Sequence, residues 1–220
     1  MSNMNDIAIY CAGGFGREVA CLLTVINEPF PEPIWNLVGF FDDTHIIGEQ
    51  ISHYGPILGG SAEALKWDKP LNIVIANGNS NVVKAIYKKI KANENLSFPN
   101  IIHPGFNIVD EASFHIGKGN IIQNNCSVSC DVTIGDFNVI NGSVVFGHDD
   151  KVGDFNTFMP AIRVSGAVTI GNGNFFGVGS IILQGLTIGN DVRLGAGSVL
   201  MTKPKEGNLY MGVPAKKMRF

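Results

Sequence analysis

The chain has 220 residues, a formal net charge of -3 and a pI near 5.9, and 45% of its residues are hydrophobic. That length allows one or two domains, and the mild acidic balance, with no basic block, gives nucleic acid no electrostatic footing. No apolar run approaches the roughly 18 residues of a membrane span, and the polar segment from Met1 to Asp6 lacks a secretory pattern. Four cysteines, Cys11, Cys21, Cys126 and Cys130, do not make a disulfide framework in a chain this long, so a cytoplasmic protein that touches no membrane is expected.

Ile7 to Tyr10 reads as a strand, Ala12-Gly13-Gly14-Phe15-Gly16 as a turn, and Arg17 to Ile26 as a helix with Val19, Ala20, Leu22 and Leu23 towards a sheet. A glycine turn that opens a helix offers N–H groups and the helix dipole to a phosphate, although the spacing is not a full dinucleotide fingerprint. Leu37 to Phe41 is a second strand, and Asp42-Asp43 follows it where a ribose- or base-binding acid belongs in such a fold. Leu71 to Ala76 is a third, leading into Asn77-Gly78-Asn79 and a helix from Asn81 to Lys91. Three βα segments make half a dinucleotide fold, which suits one mononucleotide better than NAD. The plain alternative is a tight turn beside two solvated acids. Residues 1–100 are thus expected to form a small Rossmann-like βαβ domain. The stretch from Phe98 to Val109 joins it to 101–220, with His103 read as a packing residue and Pro104 as the break before the first irregular coil.

From Ile116 every sixth residue is large and apolar, through Ile122, Val128, Ile134, Ile140 and Phe146 to Leu194 and Leu200. Glycine follows every third member, as in Ile134-Gly135, Val152-Gly153 and Ile170-Gly171. Six within eighteen means three short strands per coil of a parallel β-helix, one side chain per rung pointing inward. The glycines are expected to supply backbone freedom at the corners. His148, two places after the inward Phe146, projects outward and is followed by Asp149 and Asp150. A carboxylate neighbour can hold a histidine in one tautomer and keep it basic enough to take a proton near neutral pH. A solvated His-Asp-Asp corner is the plain alternative. His115 is read as exposed, and two histidines in the coils are too few for the three-histidine zinc site of a hydratase. Cys126 and Cys130 are read as structural or solvent-facing thiols, and no Ser or Cys motif supports a covalent route.

The run from Ile170 to Phe175, Ile-Gly-Asn-Gly-Asn-Phe, and that from Leu194 to Val199, Leu-Gly-Ala-Gly-Ser-Val, resemble the hexapeptide repeat of left-handed β-helix acyltransferases. With a small domain ahead of the coils, the chain resembles NeuD/PglD-type sugar acetyltransferases from Ile7 to Met218. The resemblance implies an α/β plus all-β fold, a Rossmann-like domain followed by a left-handed parallel β-helix and a short C-terminal tail. It implies acetyl transfer from acetyl-CoA, without a metal, to the amine of a nucleotide-linked sugar of the UDP-4-amino-4,6-dideoxy type, for surface glycan synthesis. O-acetylation of a sugar hydroxyl, as in sialic-acid modification, is the alternative, and a non-enzymatic scaffold a more distant one.

Residue by residue, the resemblance makes His148 the general base and Asp149 the group that orients it, in the phrase His148-Asp149-Asp150-Lys151-Val152-Gly153-Asp154. It puts Gly166, on a neighbouring subunit of a homotrimer, at the thioester carbonyl, Val178 and Gly179 beside the pantetheine arm, and Pro214 and Lys216 near the nucleotide end of CoA. Lys217 and Arg219 are further cations able to meet phosphate. Thr157 stands where many relatives have a second histidine at the CoA. Gly13, Gly14, Phe15, Gly16, Asp42, Asp43, Asn77 and Gly78 are implied to hold the nucleotide, and Asn141 to lie near the sugar. Phe15 occupies a loop position that is polar in some relatives.

Overall fold

The computed structural model describes residues 5–218, and the chain divides between Pro104 and Gly105 into two compact units. The first contains β1 (Asn5–Tyr10), α1 (Gly14–Asn27), β2 (Trp35–Phe41), β3 (Gln50–Ile51), β4 (Gly55–Gly59), α2 (Ser61–Leu65), β5 (Leu71–Ile75), α3 (Ser80–Ile90) and β6 (Leu96–Ser97). Its sheet has the order β3-β4-β2-β1-β5-β6, parallel throughout except between β3 and β4. β1 is buried on both faces from Ile7 to Tyr10, as a central parallel strand must be. The chain leaves β1 first towards β2 and later towards β5, so a crevice opens beyond the ends of these strands, where doubly wound sheets take their ligands. α1 begins inside the glycine turn, at Gly14 rather than Arg17.

In the second unit the strands of the coils are two residues long, and residue i lies beside residue i+18. Ile122, Ile140, Phe158, Phe176 and Leu194 stack, each paired with the next, on one face. Val128, Phe146, Val164, Ile182 and Leu200 stack on the second, and Ile116, Ile134, Val152, Ile170 and Ile188 on the third. The result is a left-handed parallel β-helix. The sixth-residue row fills it: every member from Ile122 to Leu200 is buried, and the Phe158 and Phe176 rings stack 4.8 Å apart. Ile116 is only half-buried because its strand is the last of its sheet.

A second row lies inside as well, two residues ahead of the first: Asn120, Cys126, Val132, Asn138, Val144 and Asp150, continuing at the same spacing. Its asparagines are satisfied along the axis. Oδ1 of Asn120 accepts the N–H of Asn138, Asn138 that of Asn156, Asn156 that of Asn174, and Asn174 that of Val192, each at 2.8 Å.

The Ile-Gly and Val-Gly pairs serve a different end from the one expected. Positive φ falls on every sixth residue from Gly119 to Gly197 and is carried mainly by other residue types, among them Asn125, Asp131, Asp149 and Phe155. Gly135 is not one of these positions; a Cβ there would lie 2.2 Å from Oδ1 of Asp154, which accepts the N–H of Asp136. The glycine makes room for a side-chain acceptor from the next coil. Beyond the last coil, Leu209–Met211 pairs antiparallel with Lys216–Lys217.

Candidate active site

The crevice of the first unit encloses about 710 Å3 and is lined by Gly13, Gly14, Phe15, Asp42, Asp43, Asn77 and Gly78, seven of the eight small-domain residues singled out from the sequence. Gly16 is placed elsewhere. It is buried, and a Cβ on it would lie 2.0 Å from the carbonyl oxygen of Cys11, so this glycine lets α1 close on the end of β1 and forms no wall. α1 has no side-chain cap, so the N–H groups of its first turn lack helical acceptors beside the crevice.

Both acids are engaged by the protein itself. Asp42 accepts the N–H of Ala12 at 2.9 Å through Oδ2, and the N–H and hydroxyl of Thr44 at 2.9 and 2.6 Å through Oδ1. Asp43 accepts the Ser61 N–H at 2.6 Å and the Tyr10 hydroxyl at 3.1 Å, and pairs with Lys89 at 3.0 Å. Burial pushes the Asp43 carboxyl up, but the Ser61, Lys89 and Tyr10 donors outweigh it and hold it at about 2. Burial likewise opposes, and Thr44 and Ala12 prevail, in lowering Asp42. Asp42 therefore also straps the glycine loop to the end of β2. The opposite wall, Val82, Ala85, Ile86 and Lys89 of α3, was not anticipated. Its 3-4-7 spacing marks one helix face and was the available signal.

In the second unit, turns one coil apart are joined by backbone hydrogen bonds into edges. Asp149 N–H donates to Cys130 O, Ala167 N–H to His148 O, and Gly185 N–H to Gly166 O. His148 and Gly166 thus share an edge because they are eighteen residues apart. His148 is half exposed, and its Nδ1 lies 2.7 Å from Oδ2 of Asp149, which reaches it from a positive-φ turn position. A carboxylate accepts only, so Nδ1 carries the hydrogen and Nε2 of the neutral ring keeps its lone pair. The ring lies against Gly166: a Cβ there would sit 2.5 Å from Nε2. Gly166 is buried, and its N–H finds no acceptor among the described residues. The eighteen-residue coil sets this glycine beside the histidine of its own chain.

The other implied contacts are spread out. Val178 and Gly179 lie on a different edge, which continues through Gly197; Gly179 N–H donates to Pro160 O and Gly197 N–H to Val178 O. Val178 is exposed, and nothing lies within 4 Å of a Cβ built on Gly179 or Gly197, so that edge has open space along it. Pro214 and Lys216 are exposed in the tail; Arg219 lies outside the described residues. Asn141 donates through Nδ2 to Phe158 O at 3.0 Å, bracing the next coil. Thr157 does not fit a CoA contact: it is 2% exposed, between Val139 and Phe175 of the adjacent coils. Nor is the second acid after His148 solvated, since Asp150 is wholly buried.

The family model for the PglD N-terminal domain matches residues 6–90. A comparison with curated proteins gave no match. Among solved structures, the acetyltransferase domain of PglB from Neisseria gonorrhoeae FA1090, in complex with acetyl coenzyme A, is 25% identical over 98% of this chain and 100% of its own, with a TM-score of 0.85. PerB from Caulobacter crescentus, in complex with CoA and GDP-perosamine, is 25% identical over 98% of both chains, with a TM-score of 0.86. WeeI from Acinetobacter baumannii AYE is 25% identical over 98% of this chain and 100% of its own, with a TM-score of 0.84. Residues 6–90 thus match the PglD N-terminal domain, and the chain as a whole is similar to these NeuD/PglD-type structures. No helix among the described residues is long and apolar enough to cross a membrane, and no three His, Cys, Asp or Glu side chains among them are grouped to hold a metal ion.

Proposed function

We propose that the chain moves the acetyl group of acetyl-CoA directly to the amine of a nucleotide-linked amino sugar, the UDP-linked 4-amino-4,6-dideoxy sugar being the acceptor the resemblance implies. The observation that carries this reading is the edge on which Asp149 fixes His148 and Gly166 meets the Nε2 side of its ring. His148 Nε2 takes a proton from the acceptor nitrogen as it attacks the thioester carbon. Asp149 stabilises the imidazolium that forms. Gly166 N–H, with no acceptor among the described residues, donates to the oxygen on which charge builds, and as the carbon–sulfur bond breaks the imidazolium returns its proton to the sulfur, so that CoA departs as the thiol. The first unit holds the nucleotide, with its phosphates at the first turn of α1 and its base in the crevice faced by α3 and the Asp43–Lys89 pair.

The open edge along Val178, Gly179 and Gly197 has room for the pantetheine arm, which fits acetyl-CoA as the donor. That edge and the His148 edge are separate lines along one β-helix, so a donor touching both is served by laying one subunit's edge against another's. A homotrimer does this three times, and its mass in sedimentation equilibrium checks the assembly. The reaction belongs to the cytoplasm, in the synthesis of surface glycans.

The test incubates the protein and acetyl-CoA with UDP- and GDP-linked amino sugars and with free sialic acid, and follows thiol release. Amine acetylation of a nucleotide sugar is expected, and transfer only to a hydroxyl would overturn the acceptor. His148→Ala should lose roughly 10²–10⁴ in turnover, the usual worth of a general base, while still binding acetyl-CoA. Near wild-type turnover in that variant would remove His148 from the mechanism.

A further inference from the structure

In the second row, Val132, Asp150 and Val168, all buried, and the half-buried Leu186 fall at eighteen-residue intervals, one per coil. Three are aliphatic and the fourth is a carboxylate, 0% exposed. Both of its oxygens are engaged. Oδ2 accepts the N–H of Gly147 at 2.9 Å, a donor it shares with the Val164 carbonyl oxygen at 3.0 Å, and Oδ1 accepts the N–H of Val168 at 2.9 Å, one coil on. Gly147 is bonded directly to His148, and Val168 directly follows the Gly166-Ala167 turn against which the imidazole lies. The carboxylate thus reaches the backbone on both sides of the proposed site from within the β-helix.

We propose that Asp150 is a positioning residue for the acetyl transfer, tying the turn of His148 to the turn of Gly166 so that Nε2 and the Gly166 N–H keep one spacing. This rests on the function proposed above. Burial pushes the carboxyl up to about 7 against its two backbone donors, so the fold retains an acid at a position where an aliphatic residue would be more comfortable. The asparagine ladder shows what an amide does in this row. Asn156 accepts the Asn174 N–H through Oδ1, at the same i to i+18 offset as Asp150 to Val168. An amide at 150 would keep that bond but present N–H to the N–H of Gly147.

Asp150→Asn and Asp150→Val in the full chain separate positioning from stability. The melting temperature of the Val variant reads the balance between a buried acid removed and a Val168 N–H left without its acceptor, while KM for acetyl-CoA is expected within about twofold and kcat lower by about tenfold or more, a loss confined to the transition state. The Asn variant should lose kcat in the same sense. Independently of turnover, the long-range proton–nitrogen spectrum of the His148 ring, assigned by its loss in His148→Gln, should show one fixed environment in the wild type and exchange broadening in both variants. Unchanged ring signals, or a kcat lowered by less than about tenfold in either variant, would overturn the proposal. If the wild type transfers no acetyl group, the proposed function fails while the ring spectra still decide whether Asp150 fixes His148. Should the Val variant not fold, the Asn variant decides by the same two readings.

Discussion

Two glycines at one edge differ in what an added methyl group would strike. On Gly166 it would meet the far end of the His148 side chain, 2.5 Å from Nε2; on Gly147 it would meet the backbone nitrogen of Gly166 at 2.5 Å. A side chain can swing aside, whereas backbone held between coils cannot. Gly166→Ala should therefore fold normally and lose roughly 10² in turnover, because the general base has been displaced. Gly147→Ala should be destabilised by about 1–3 kcal/mol, the usual cost of overpacking, read from the urea midpoint. Equal stability losses in the two variants would mean that the imidazole is not what occupies the space above Gly166.

The β-helix is held by two inward rows, and only one of them could be read in advance. Ile122 to Leu200 announce themselves because a large apolar residue every sixth place has no other use. The row two residues ahead mixes Asn, Cys, Val, Asp and Ser, and letters such as Asn138 or Asp150 read as solvent-facing until the next coil is known to supply their partners. The clue was an asparagine every eighteen residues, at 120, 138, 156 and 174. Asn156 accepts both the backbone N–H and the side-chain amide of Asn174. Asn156→Ala, which strands those donors, should cost roughly 1–3 kcal/mol; a chemical denaturation curve superimposing on the wild type would show that the ladder contributes nothing. In the first unit β1, β2 and β5 were legible as continuous apolar runs. The short β4 was not, because glycine and proline open it and an Ile-Leu pair is too brief a signal. The pairing of Asp43 with Lys89 spans 46 residues and has no local trace.

Across the whole molecule the two units carry acids that respond to pH with opposite sign. Asp43, in the first unit, has a folded value of about 2, below the unfolded carboxylate value of about 3.9. Its stabilisation is present above about pH 4 and is lost as pH falls towards 2, and its partial exposure keeps the effect small. Asp150, in the second unit, has a folded value of about 7. Between about pH 4 and 7 the folded chain keeps a proton that the unfolded chain has released, so stability falls as pH rises through that window and stays lower above it. The probes separate as well, since Trp35 and Trp67 are the chain's two tryptophans and both lie in the first unit. Far-ultraviolet dichroism reports both units, because all three described helices lie in the first, so the transition it shows beyond that of the fluorescence belongs to the coils of the second. The dichroism midpoint in urea is expected to be higher near pH 5.5 than near pH 8, and Asp150→Val should abolish that difference, because the variant has no proton to keep. Tryptophan fluorescence should show the Asp43 effect instead, as a decline on acidification below about pH 4 that Asp43→Asn removes. A wild-type dichroism midpoint that is flat between those two pH values, or a slope that survives Asp150→Val, would show that the buried acid is not the group whose proton the β-helix holds.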